Sequence, residues 1–148
     1  MRAFQYSFQK VLDLKTNTKK QSEWMLAEAL GQLQAAEISL EKFRKEREQM
    51  VLRCQEMVDQ CASAVDLQSC QQYISFLDQK IEYAISAVKK EERNVMNQQK
   101  ELEMKMIDEK VWIKAREKAE ETYKNDVAVA EQYQMDEIAT VRFHFAAR

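Results

Sequence analysis

Proline is absent from this chain of 148 residues, and glycine and histidine each occur once. Chain reversals draw on Gly, Pro, Asn and Asp for reasons of backbone geometry and side-chain hydrogen bonding, so few turns are encoded. β-Sandwiches, barrels and doubly wound α/β folds, which need many connections, are thereby disfavoured. Long apolar runs are also missing: none approaches the roughly 20 residues of a membrane span, and Met1-Arg2-Ala3-Phe4-Gln5 opens no signal-peptide core. Nor is there an excess of one charge, with 23 basic and 25 acidic side chains and a net charge of -2. Nucleic-acid and membrane-surface binders carry a basic excess or stripe, so the expectation is a soluble cytoplasmic chain with no nucleic-acid partner and no membrane insertion. Cys54, Cys61 and Cys70 are odd in number and form no C-x-x-C pair, which argues against a disulfide framework or a zinc knuckle and suggests reduced packing thiols.

What the chain does contain is helix-forming material: Gln, Glu, Lys, Ala, Leu and Met, side chains that lose little rotamer freedom in a helix. From residue 22 to 61 a series spaced by three and four can be laid down as Ser22, Met25, Ala29, Leu33, Ala36, Leu40, Phe43, Arg47, Met50, Cys54, Met57 and Cys61. Ten of these twelve are apolar, against nine of the other twenty-eight residues in the stretch, which is the signature of a coiled-coil seam. The step from Ala29 to Leu33 reads as a stutter. Phe4, Phe8, Val11 and Leu12 extend the helical spacing toward the N-terminus. A second series runs Leu67, Cys70, Ile74, Leu77, Ile81, Ala84 and Val88, then less cleanly through Val95, Leu102, Met106, Ile113, Tyr123, Val127, Ala130, Ile138 and Val141.

These two series predict an all-α fold, two long helices in an antiparallel coiled-coil hairpin that forms a single domain over 1–148. Helix one spans about 3–62, the turn about 63–66 and helix two about 67–145, with Asp66 as the second helix's cap and Val65 and Cys70 as a hydrophobic staple. Folding back there sets the basic residues Arg2, Lys10, Lys15, Lys19 and Lys20 beside Glu117, Glu120, Glu121 and Asp126. Opposite charges on adjacent helices favour this hairpin, a monomer on its own, over a parallel dimer. The last twenty residues overhang as one helix or fray.

Catalysis is hard to place. His144 lies near a terminus, no Gly-rich phosphate loop exists, and a two-helix hairpin encloses no pocket from which water is excluded. Neighbouring carboxylates such as Glu91-Glu92 and Glu120-Glu121 diverge on a helix, so they read as solvated faces and not as metal ligands. No residue pattern calls for a cofactor. The stripe Tyr73, Phe76, Tyr83 widens the apolar face beyond one facing helix, and is either seam-flanking packing or a docking face for a partner. Trp24 and Trp112 flank seam positions too, near one another in the fold-back register, as interface anchors or as packing.

Three segments carry a family resemblance. The opening Phe4-Gln5-Tyr6-Ser7-Phe8-Gln9-Lys10-Val11-Leu12-Asp13-Leu14-Lys15, the central Gln71-Gln72-Tyr73-Ile74-Ser75-Phe76-Leu77-Asp78, and the late Arg116-Glu117-Lys118 with Met135-Asp136-Glu137-Ile138-Ala139 together resemble the flagellar FliJ family over essentially the whole chain. The resemblance implies a non-enzymatic component of the flagellar type III protein-export apparatus, at the inner face of the cell membrane and needed for flagellum assembly, motility and chemotaxis. It implies a central stalk of a hexameric export ATPase, promoting ring assembly and ATP turnover and coupling the ring to the membrane export gate. On this analogy Phe4, Phe8, Lys10, Lys15, Arg116, Met135 and Asp136 meet the ATPase ring, and Phe43, Met50, Tyr73 and Leu77 meet the gate protein. Lys80 and Ala84 depart from the family pattern at that face. Two other readings stay open: an adaptor that escorts export chaperones, and the equivalent stalk of a virulence secretion system.

Overall fold

The computed structural model describes residues 3–147. Two helices account for nearly all of them, α1 (Gln9–Asp59) and α2 (Ala64–Ala146), packed antiparallel as the two arms of a helical hairpin. By contacts the chain divides into two compact units, one formed by Gln21–Glu103 and the other by Met1–Lys20 with Met104–Arg148.

The unit Gln21–Glu103 contains the turn. Its core is a single seam, buried at Ala29 and Leu40 on α1 and at Cys70, Leu77, Ala84 and Val95 on α2. The α1 side of the seam differs from the sequence expectation at two places: Cys61 lies past the end of the helix, exposed in the turn, and Met25 is 52 % exposed while its neighbour Leu26 is half-buried. With Leu26 in the series, the steps from Ser22 to Met57 alternate four and three without a break, which removes the stutter. Gly31 lies on the exposed side of α1 with nothing within 4 Å of the place a Cβ would take.

The reversal lies at 60–63, slightly earlier than expected, and uses two capping motifs. At the end of α1, Ala62 N–H donates to the Met57 carbonyl at 3.0 Å and Cys61 N–H to the Val58 carbonyl at 3.1 Å. This is the Schellman pattern, and its left-handed residue is Cys61, with φ of 54°. At the start of α2 the cap is Ser63, not Asp66: Asp66 N–H donates to Ser63 Oγ at 3.3 Å, and Ser63 Oγ donates to Asp66 Oδ2 at 2.7 Å. Asp66 is thus the third helical residue, where its charge also complements the positive helix end. Val65 is 70 % exposed and makes no staple; those positions belong to Ala62 and Leu67, both half-buried.

Cys54 and Cys70 are joined as a disulfide across this seam, with a Cα separation of 6.2 Å, while Cys61 is free and exposed. The expectation of three reduced thiols is therefore corrected: sequence spacing could not show that 54 and 70 face one another across the turn.

In the other unit, α1 starts at Gln9 and not near residue 3. Residues 3–6 are irregular and 7–8 form a turn, with Gln9 N–H donating to the Tyr6 carbonyl at 3.1 Å. Leu12 is the buried apolar residue here, and α2 continues as a helix through 128–146 with every residue exposed. Met106, expected in the seam, is 47 % exposed; Lys105 and Glu109 take the inward positions.

Candidate functional site

In the unit made by the two chain ends, the first residues lie along α2 through aromatic contacts. Phe4 meets Tyr123 with ring centroids 5.5 Å apart, Phe8 meets Trp112 at 5.8 Å, and Tyr6 meets Phe8 edge-on at 5.9 Å. Such pairs add about 0.5–1.5 kcal/mol each beyond the area they bury, enough to help hold a segment that precedes the helix. The helix delay at the N-terminus follows from this, because an extended lead can spread its rings along α2.

Below the aromatic contacts the seam turns polar. Lys15 Nζ is 2.7 Å from Asp108 Oδ2, and Lys19 Nζ is 3.3 Å from Glu109 Oε1. The expected attraction of basic α1 for acidic α2 is present, but among the described residues its partners are Asp108 and Glu109 and not Glu117, Glu120, Glu121 or Asp126. Glu120 instead pairs with Lys124 on its own helix at 3.1 Å. Arg2 lies outside the described residues. Glu109 is 9 % exposed and its Oε2 is buried without a hydrogen-bond partner, so this carboxylate is only half satisfied.

Of the residues assigned to a ring contact on resemblance, the structure gathers Phe4, Phe8 and Lys15 into contacts with α2. Lys10, Arg116, Met135 and Asp136 are exposed on the helices, Asp136 Oδ1 accepting a hydrogen bond from Gln132 Nε2 at 3.2 Å. Further along α2, Ile138, Val141 and Phe145 are 51 %, 49 % and 79 % exposed at spacing that sets them on one helix face. His144 is the basic residue in the last turn of α2.

The unit that contains the turn carries the other candidate face. Tyr73 hydroxyl donates to Glu46 Oε1 across the helices at 2.5 Å, and Arg47 Nε pairs with Asp78 one turn away. Tyr73 and Phe76 stack with centroids 6.0 Å apart, and Lys80 Nζ sits 5.4 Å over the Phe76 ring, a cation–π contact. The Tyr73 phenol is raised above its ordinary pKa, first because Glu46 holds its proton, then through desolvation and the carboxylate's charge. Phe43 and Met50 are half-buried in the seam, and Leu77, at 1 % exposure, is the most completely buried large side chain of the core. A partner cannot touch Leu77 while the two helices stay packed. Tyr83 is 75 % exposed and Trp24 77 % exposed, whereas Trp112 is half-buried against Phe8. The two tryptophans thus have different surroundings.

Sequence reasoning did not find Glu46, Asp78 or Asp108. Each is one of many charged residues on its helix, and only the cross-helix register singles it out.

Among the described residues no helix is long and apolar enough to cross a membrane. The family model described as "Flagellar FliJ protein" matches residues 4–148. A protein of that description from Bacillus subtilis (strain 168) is 30 % identical over 142 residues, covering 95 % of this chain and 96 % of that one. Among solved structures, one described as a YscO homologue from Chlamydia trachomatis aligns over 97 % of both chains at 21 % identity and a TM-score of 0.48.

Proposed function

Because this chain belongs to the flagellar FliJ protein family, we propose that it is a coupling component of the flagellar type III export apparatus, acting as a stalk within the export ATPase ring. The observation that carries this reading is the family match over residues 4–148, which spans the aromatic N-terminal lead and all of α2. The unit built from the chain ends is the part that enters the ring. Its exposed Lys10, Arg116, Met135 and Asp136 mix charge and apolar surface, and Ile138, Val141 and Phe145 extend that surface as an apolar stripe. A stalk inside six identical subunits has to present unlike surfaces to like clefts, and an irregular end of this kind does so. The ring contact promotes ring assembly and ATP turnover; the protein itself performs no catalysis.

The face around Tyr73 meets the membrane export gate. Tyr73 and Phe76 supply exposed aromatic area, as interface anchors do. Phe43 and Met50, half-buried on α1, belong to the same docking region, and Leu77 holds the two helices together. Association with the gate places the chain at the inner face of the membrane without inserting it.

The test is the ATP hydrolysis rate of the cognate export ATPase, titrated with the full chain and with a chain lacking residues 1–20. Stimulation by the full chain and its loss on truncation supports the stalk; circular dichroism of the truncated chain separates lost contact from lost helix. Binding to export chaperones with no change in ATP turnover would replace the stalk by the chaperone-escort adaptor.

A further inference from the structure

We propose that Cys54 and Cys70 are a reversible dithiol–disulfide site that reacts with a low-molecular-weight thiol–disulfide couple and fastens α1 to α2 beside the turn. All three cysteines of the chain fall within residues 54–70, yet their surroundings differ. Cys54 and Cys70 occupy inward positions on opposite helices with Cα atoms 6.2 Å apart, inside the range a disulfide spans without backbone movement. Cys61 stands apart in the left-handed position of the turn, exposed and unpaired. The site also suits the reduced state: the Met50 carbonyl oxygen lies 3.9 Å from Cys70 Sγ, within reach of a thiol proton.

Access sets the order of the exchange. Cys70 is 4 % exposed and Cys54 half-buried, so the Cys54 thiolate is the one that meets an external disulfide. It attacks one sulfur, a mixed disulfide forms, and the first small thiol leaves. The Cys70 thiolate then attacks the Cys54 sulfur, the protein disulfide forms, and the second small thiol leaves. Two protein thiols are oxidised and one external disulfide is reduced to two thiols; excess thiol runs the same steps backward. Tyr73 follows Cys70 by about one helical turn, so closing the bond holds the Glu46–Tyr73 pairing in register. This inference stands on the cysteine geometry and does not depend on the export reading.

The test uses the full chain equilibrated with a series of reduced and oxidised glutathione mixtures, acid-quenched, alkylated and mapped by peptide mass spectrometry, in buffer and in guanidinium chloride. The expected result is a Cys54–Cys70 link with Cys61 alkylated, an equilibrium constant at least about tenfold larger in the folded chain than in the unfolded one, and full reversal by excess reduced glutathione. Cys61→Ser keeps the link, and Cys70→Ser leaves Cys54 as a glutathione mixed disulfide. Equal constants in the two solvents, links that involve Cys61, or oxidation only between two chains would overturn the proposal.

Discussion

Cys61 shows how a single residue can work against the geometry it occupies. It sits at the left-handed position of a Schellman motif, where Gly is the usual residue because it has no Cβ to crowd the carbonyl. Cys61→Gly is expected to stabilise the chain by about 1 kcal/mol, read as a higher urea midpoint with an unchanged denaturant slope. Local sequence therefore does not mark the turn: the chain's one glycine stands in mid-helix at Gly31, and the bend carries none. Tyr73 illustrates a contact set by its partner. Its raised pKa means that the folded chain favours the protonated phenol, so the Glu46 contact is fully present below the ordinary tyrosine range and is lost as pH rises through the raised value, above 10. Tyr73→Phe should remove a component that titrates above the ordinary tyrosine range in absorbance at 295 nm; an unchanged titration in that range would reject the assignment. Leu77 was grouped with Tyr73 on sequence resemblance. Its burial makes it a core residue, and Leu77→Ala tests stability and not docking.

At the scale of the elements, the seams were largely legible. A 3.5-residue apolar spacing identifies the inward face of a helix without any knowledge of its neighbour, which is why Ala29, Leu40, Cys70, Leu77, Ala84 and Val95 were all expected inside and are. The misplacements fall where two adjacent residues are both apolar, as at Met25 and Leu26, or where a charged residue turns inward, as at Lys105 and Glu109. Pattern alone cannot choose between adjacent candidates or bury a carboxylate. Glu109 stays inward because Lys19 faces it, yet one of its oxygens is unsatisfied. Removing one partner leaves the other charge poorly compensated, so Glu109→Ala should cost about 1–3 kcal/mol, whereas Lys19→Leu with Glu109→Leu should be neutral or stabilising. Thermal melts of the single and double variants distinguish these outcomes. At the start of α2, Ser63→Ala removes both hydrogen bonds of the cap and should cost about 1 kcal/mol, again visible in a melt.

For the molecule as a whole, the hairpin covers the apolar seam of α1, and the part of α2 opposite it, with helices of the same chain. Sedimentation equilibrium should therefore return a monomer of 17.5 kDa at micromolar concentration. A parallel dimer would give twice that mass. The apolar residues of α2 beyond 127, Ile138, Val141 and Phe145 among them, are exposed, with no facing helix among the described residues.

The sequence by itself determined that this chain is helical, that it reverses once, which faces turn inward over most of its length, and, through three ordered motifs, the family to which it belongs. The first three follow from composition and local period, which act along one helix at a time; the family follows from the likeness of the motifs. Tertiary structure alone decided which residues meet across the hairpin: Cys54 with Cys70, Tyr73 with Glu46, Lys15 with Asp108, Phe4 with Tyr123. Cross-helix pairing depends on the register, and the register depends on where the turn closes. Here it closes through Cys61 and Ser63, held by backbone and capping hydrogen bonds that no apolar period encodes.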